Sequence, residues 1–320
     1  MADRGDGAPP RYRDLPETDG GARSGWHLFG EDDSVGLLNL VTPAKAVQAA
    51  GLVRRGAVFP LDLASDFLDP PLFGRGFARR TTLVTRPGAA LDDVHDNFYP
   101  QSGSQWDALA HVAFDRDRFY NGRTAADVDG GANTIDHWAA RGIVTRAVVL
   151  DLAGAVDERG GPGTAVALTP ADLEAAREAA GVEVTTGDVL VLHTGFLDWY
   201  ATLGRAERVR ISHRDALRAA GIEHTPEMAE YLWDLHVGGV VTDAPALEVW
   251  PPDHRREAWP WGFLHQVLIG QFGLAIGELW WLRDLVEDCR ADGRWEAMLS
   301  STPMNARGGI GSPANALAVK

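Results

Sequence analysis

The segment Gln101-Ser102-Gly103-Ser104-Gln105-Trp106-Asp107-Ala108-Leu109-Ala110-His111 gathers residues that can do chemistry. If it runs extended, its period of two places Gln101, Gln105, Asp107 and His111 on one face, with Ser102, Ser104, Trp106, Ala108 and Ala110 opposite. The first face is polar and convergent, with two amides, a carboxylate and an imidazole. The same alternation also fits a half-buried strand whose polar face meets water while Trp106 packs in the core. A second candidate runs from Phe263 through His265 to Gly270 and on to Gly277-Glu278-Leu279-Trp280. There His265 and Glu278 are isolated ionisable groups among apolar neighbours, where an unpaired charge is costly and needs a partner. A hydrogen-bonded core histidine and a carboxylate paired with an arginine would meet that need equally well.

The elements that must position these residues are partly legible. Thr42-Pro43, Thr169-Pro170 and Thr225-Pro226 each put a capping hydroxyl before a proline at the first helical position. The helix after Thr169 has Asp172 three residues on and stops near Gly181, and a further helix is expected from Leu282 to Arg290, before Gly293. Ile143 to Leu152, Asp188 to Thr194 and Val237 to Thr242 read as buried strands. Phe59 to His111 reads instead as extended pieces broken by Gly and Pro. The expected fold class is therefore α/β, with a mixed, partly antiparallel sheet and flanking helices, rather than a doubly wound nucleotide fold. Neither a GxGxxG after a strand nor a GxxxxGK[ST] occurs, so no dinucleotide or P-loop site is expected.

Composition narrows the partners. A formal net charge of −15 opposes binding to phosphate backbones and anionic lipid, so neither nucleic acid nor a membrane surface is an expected partner. No apolar leader and no long apolar run are present, so neither export by a signal peptide nor a membrane span is expected. The single Cys289 cannot form an intrachain disulfide, which fits a cytoplasmic home. Residues 1–24, rich in Gly, Pro, Asp and Arg, are expected to be a disordered or loosely packed arm, and residues 25–320 one domain.

Together the two chemical segments resemble the cyclase family of metal-dependent hydrolases, which includes bacterial kynurenine formamidase and isatin hydrolase. The family signature His-x-Gly-Thr-His-x-Asp-x-Pro-x-His aligns with Gln101 to His111. Further likeness lies in Ile135-Asp136-His137-Trp138, in Arg141-Gly142-Ile143 before a strand ending Leu150-Asp151, in the Gly187-Asp188 strand ending Thr194-Gly195, and in Gly311-Ser312-Pro313-Ala314-Asn315. These features are similar to the longer branch, where Ser/Thr-Gln-Trp-Asp replaces the two-histidine form.

The resemblance implies a swivelling β/β/α-type fold and a divalent metal ion, Mn or Zn. It implies Asp107, His265 and Glu278 as ligands, Gln105 as an oxygen ligand or a hydrogen-bond donor behind them, and His111 as the acid/base. Gln101 and Trp106 would touch substrate or brace the ligands. Where two-histidine members carry imidazoles, this chain has Gln101 and Gln105, and amide oxygens suit Mn²⁺ better than zinc. The implied reaction is hydrolysis of a small amide, imide or lactone, often cyclic or aromatic, by metal-activated water. A metal-independent cyclase or dehydratase using His111 and Asp107, and a non-catalytic small-molecule binder, are the competing readings. A homo-oligomer, dimer or tetramer, is expected.

Other conspicuous residues have ordinary readings. Asp243 and Glu248 are expected in a solvated loop after a strand, and His95 on the surface within an Asp-rich run. Trp259, Trp261, Trp280 and Trp281 could wall an aromatic pocket, although packing is the expected role for most of them.

Overall fold

The computed structural model describes residues 9–320. Nine strands form its main sheet: β1 (Val58–Pro60), β2 (Gln105–Asp107), β3 (Ile143–Asp151), β4 (Val189–His193), β5 (Gly239–Thr242), β6 (Ala275–Glu278), β7 (Glu296–Ser301), β8 (Gly311–Pro313) and β9 (Ala316–Val319). In space they run β1-β9-β7-β3-β4-β5-β6-β2-β8. The central strands β3 to β6 are parallel, and the pairings on either side are antiparallel. This is the mixed α/β sheet that the sequence predicts. Every residue of β4 and β5 is buried, as parallel strands covered on both faces must be.

Only Ala314 and Asn315 separate β8, at one edge of the sheet, from β9, next to the other edge. So short a link curls the sheet until its ends approach. Trp106 Nε1 on β2 donates to Ser301 Oγ on β7 at 2.9 Å, and Ser301 Oγ donates to the Ala314 carbonyl at 2.6 Å. Trp106 is wholly buried and meets Trp138 and Trp280 edge-on.

The Thr-Pro signals start α1 (Pro43–Ala50), α2 (Pro170–Ala180) and α3 (Pro226–Asp234), with each threonine hydroxyl accepting from a backbone N–H of the first turn. Asp172 completes a capping box with Thr169, and Gly181 ends α2 in the left-handed conformation. The last helix, α4 (Arg283–Asp292), runs two residues past the expected Arg290 and stops at left-handed Gly293. At the start of β4, buried Asp188 is clamped by Lys45 Nζ of α1 at 2.5 Å and by Arg146 Nη2 of β3 at 2.5 Å.

Two features depart from the sequence reading. Residues 9–24 are not a loose arm: Tyr12, Leu15 and Ala22 are buried, Tyr12 N donates to Asp234 Oδ1 at 2.7 Å, and Trp233 Nε1 donates to the Pro10 carbonyl at 2.8 Å. A few well-placed apolar groups dock a segment whose composition reads as disordered; residues 1–8 of the expected arm lie outside the described residues. The stretch from Gln101 to His111 is not one strand either. Pro100–Ser102 is a 3₁₀ turn, and pairing is confined to Gln105–Asp107.

Between β1 and β2, residues 79–86 pair with residues 90–96 in a hairpin whose every residue is exposed, including Leu83, Val84, Leu91 and Val94. His95 lies there, exposed beside Asp93, on a strand rather than in a loop.

Candidate metal centre

β2 lies between β6 and β8, so its side chains face those of both neighbours. Opposed residues share a face, which puts Gln105 beside Glu278 and Asp107 beside Gly311, with Trp106 on the other side. His265 comes from a one-turn helix, His265–Leu268, that precedes β6. Asp107, His265 and Glu278 each offer a ligand atom, all within 4.8 Å of one another, and all three residues are buried. The structure thus brings together the three residues that the resemblance implies as ligands.

Their partners differ in a telling way. Glu278 is held on both oxygens: Leu247 N donates to Oε1 and Gln105 Nε2 donates to Oε2, each at 2.9 Å. His265 Nε2 lies 3.1 Å from Glu278 Oε1. Asp107 is 0% exposed, yet neither carboxylate oxygen has a hydrogen-bond partner; Gln105 Oε1 is likewise buried and unpartnered. His111 Nε2 stands 3.7 Å from Asp107 Oδ1, with 27% of its side chain exposed. Gln101 sits at the rim: an added Gly311 Cβ would lie 2.5 Å from its Nε2, so glycine at 311 makes room for that amide.

Glu248 was missed by the sequence reading. Far from being solvated, it is 0% exposed and pairs with His265 Nδ1, while Asp243, 1% exposed, accepts from Thr194 N at 2.6 Å and Thr194 Oγ1 at 2.8 Å. The chain after β5 folds back inward instead of leaving the body: Ile222 bridges Glu248, and Val249 N donates to the Ile222 carbonyl. The signal available in sequence was the apolar setting of Glu248 in Ala244-Pro245-Ala246-Leu247-Glu248-Val249-Trp250, the same signal that marked Glu278.

Electrostatics tie the cluster together. Burial disfavours a charged His265, but Glu248 and then Glu278 outweigh it and hold its pKa well above the ordinary value. Burial would raise Glu248, yet His265 brings it below the usual carboxylate range. Glu278 is pushed up by burial, with Asp107 and Glu248 adding to the rise against the His265 hydrogen bond. Three buried carboxylates around one imidazole leave excess negative charge, which a cation would relieve. Two carboxylates and an imidazole are also an ordinary donor set for a divalent ion, and Glu248 on Nδ1 would leave Nε2 facing it. Glu248→Gln is therefore expected to weaken divalent-ion affinity by roughly 10–100-fold, measured by isothermal titration. An unchanged affinity would show that Glu248 does not orient His265.

Of the four tryptophans considered, Trp280 is core and donates to the Gln105 carbonyl, Trp259 packs on Phe114, Trp261 Nε1 reaches the Gly20 carbonyl, and Trp281 packs on Phe67. The ring stacked on His265 is Phe263, with centroids 4.9 Å apart.

The curled mixed sheet has known counterparts. A family model described as "Putative cyclase" matches residues 58–249, more than half of the chain, so this chain belongs to the Cyclase family. The match includes Asp107, His111 and Glu248 and stops short of His265 and Glu278. A crystal structure described as a novel cyclase is 29% identical with a TM-score of 0.80, covering 93% of this chain and 99% of that one. Isatin hydrolase A from Ralstonia solanacearum is 23% identical with a TM-score of 0.59, covering 87% of this chain and 97% of its own. Isatin hydrolase A from Labrenzia aggregata, bound to benzyl benzoate, is 18% identical with a TM-score of 0.59, covering 84% and 94%. At those identities, what the two hydrolases share with this chain is the fold. No curated protein matches by sequence.

Proposed function

We propose that this protein is a metal-dependent hydrolase of a small amide, imide or lactone, cyclic or aromatic, with one divalent ion, Mn or Zn, held by Asp107, His265 and Glu278. The observation that carries this reading is the Asp107 carboxylate, fully buried with both oxygens unpartnered, facing two other ligand residues. Buried polar atoms are nearly always satisfied, and a cation would satisfy these. The isatin hydrolases of like fold support the reaction class. When bound, such an ion supplies a water acidified to near neutrality and polarises a carbonyl.

The chain's own residues do the rest. Glu248 fixes the His265 ring, while Gln105 and the Leu247 amide fix the Glu278 carboxylate. His111, the partly exposed member of the group, delivers a proton from Nε2 to the leaving nitrogen or oxygen. Elemental analysis beside a hydrolysis screen over N-formyl aromatic amines, cyclic imides and lactones, with Mn²⁺ and Zn²⁺ added separately, tests the reading. About one ion per chain with turnover is expected. Turnover without metal would favour the cyclase or dehydratase, and ligand binding with neither would favour the binder.

The glutamines set the metal preference. Gln105 spends its amide N–H on Glu278 and keeps Oε1 free, so it offers the ion oxygen rather than nitrogen. Gln101→His combined with Gln105→His is expected to raise zinc affinity above wild type. Equal zinc affinities by isothermal titration would reject the idea that these positions reach the ion.

A homodimer in the cytoplasm completes the proposal. An isolated hairpin is marginal in water, and this one exposes apolar side chains along its length. Its strands carry opposite charges, Arg79, Arg80 and Arg86 against Asp92, Asp93 and Asp96. Two copies packed face to face about an axis along the hairpin set the basic strand over the acidic one. Light scattering is expected to give twice the chain mass and, for a Leu83→Asp, Leu91→Asp variant, the single-chain mass; a monomeric wild type would reject the arrangement. Unpaired, buried Cys289 accords with a reducing compartment.

A further inference from the structure

Arg75 occupies a position that the hydrolytic reading does not use. The turn Leu72–Gly74, with Phe73 at φ 61° and Gly74 at φ 71°, sends the chain back so that the Arg75 guanidinium lies over the Phe73 ring, 5.1 Å from its centroid. Phe73 meets Trp250 edge-on at 5.0 Å, and the exposed Arg214 lies over Trp250 at 5.0 Å. Arg75 Nη1 donates to the Gln101 carbonyl, and the Gln101 amide covers Gly311, the register partner of Asp107. The guanidinium is thereby anchored beside the ligand cluster.

Its hydrogen bonding is largely unspent. Among the described residues, the Arg75 side chain makes that one hydrogen bond and no ion pair, although a guanidinium carries five N–H donors. Burial lowers its pKa from the ordinary value, while Asp107 and Glu278 act on it from a distance in the opposite sense. A half-buried cation with a free edge suits a carboxylate, which the fork can grip through two parallel hydrogen bonds. Without Arg75 the three site carboxylates would repel such a group.

We propose that Arg75 reads an anion, pairing with a carboxylate carried on the substrate beside the bond that breaks, so that the substrate is a carboxylate-bearing amide or lactone. The word substrate rests on the hydrolase reading; the anion site does not.

Calorimetric titration of benzoate and of neutral benzamide, into protein as purified and after chelation, tests it. Benzoate is expected to bind roughly 10–100-fold more tightly than benzamide in both preparations. Arg75→Gln is expected to abolish that preference, Arg75→Lys to keep part of it, and Arg214→Gln to keep most of it. Equal binding of the two probes to wild type overturns the proposal, and so does a preference that survives in a folded Arg75→Gln. A preference that vanishes on chelation assigns the carboxylate to the metal and overturns it too. Should Arg75→Gln fail to fold by thermal melt, the wild-type pair and Arg75→Lys still decide. Turnover separates the two readings: benzoate selectivity in a protein that hydrolyses nothing keeps the anion site and removes the hydrolase, while hydrolysis without the selectivity does the reverse.

Discussion

His111→Ala is expected to keep the divalent ion and lose turnover by about 10²–10⁴-fold, the usual worth of a positioned general acid or base. The geometry separates His111 from the ligands. Its Nε2 is 3.7 Å from Asp107 Oδ1, too long for a hydrogen bond, and its side chain is 27% exposed whereas Asp107, His265 and Glu278 are buried. In the proposed reading those three would hold the ion, and His111 would stand where a leaving group arrives. Elemental analysis and kcat on the same preparation check the prediction. Loss of the ion in the variant would move His111 among the ligands, and unchanged kcat would remove it from the reaction.

The second large effect is on stability. Asp188→Ala is expected to destabilise the fold by about 3–5 kcal/mol, as removal of one member of a buried ion cluster generally does. Asp188 accepts from Arg146 Nε at 3.0 Å and Nη2 at 2.5 Å and from Thr185 N at 2.7 Å, and it pairs with Lys45 Nζ at 2.5 Å. Without it, Lys45 loses its carboxylate while almost fully buried, and Arg146 keeps Glu296 as its one ion-pair partner beside hydrogen bonds to the Glu183 carbonyl and the Thr185 hydroxyl. A fall in the denaturant midpoint with unchanged slope would report this directly. Asp188 precedes β4 and Glu278 ends the parallel β6, so the clamp and the metal centre lie at opposite ends of the sheet. Metal affinity of the variant, measured well below its unfolding range, is accordingly expected to match wild type.

Much of this was legible because isolated polar groups in apolar runs have few explanations. His265 and Glu278 stood out on that ground and Asp107 on the polar face of its segment, and the Thr-Pro pairs marked three helix starts because capping is a local matter of a hydroxyl and a fixed φ. Glu248 was hidden by its place after a strand, where chains usually exit; only the return of residues 247–249 onto Ile222 buries it. The docked segment 9–24 was hidden for a similar reason: Tyr12 and Leu15 matter through the cavities they fill, which local composition does not show. Arg75 carried no signal, because its place depends on a left-handed turn at Phe73 that the sequence does not advertise.

The closure of the sheet governs when the centre can form during synthesis. β2, which carries Asp107, pairs with β8, and β1 pairs with β9, so the first two strands made wait for two of the last. A nascent chain that has emerged through Glu278 already holds Asp107, His265 and Glu278, yet it lacks the strand that covers β2 and the one that covers β1. Such late, long-range pairing slows folding and leaves strand edges open meanwhile. The parallel block β3 to β6 can assemble first, and the cluster of Asp107, His265 and Glu278 is enclosed by its full sheet only after residues 311–319 have left the ribosome.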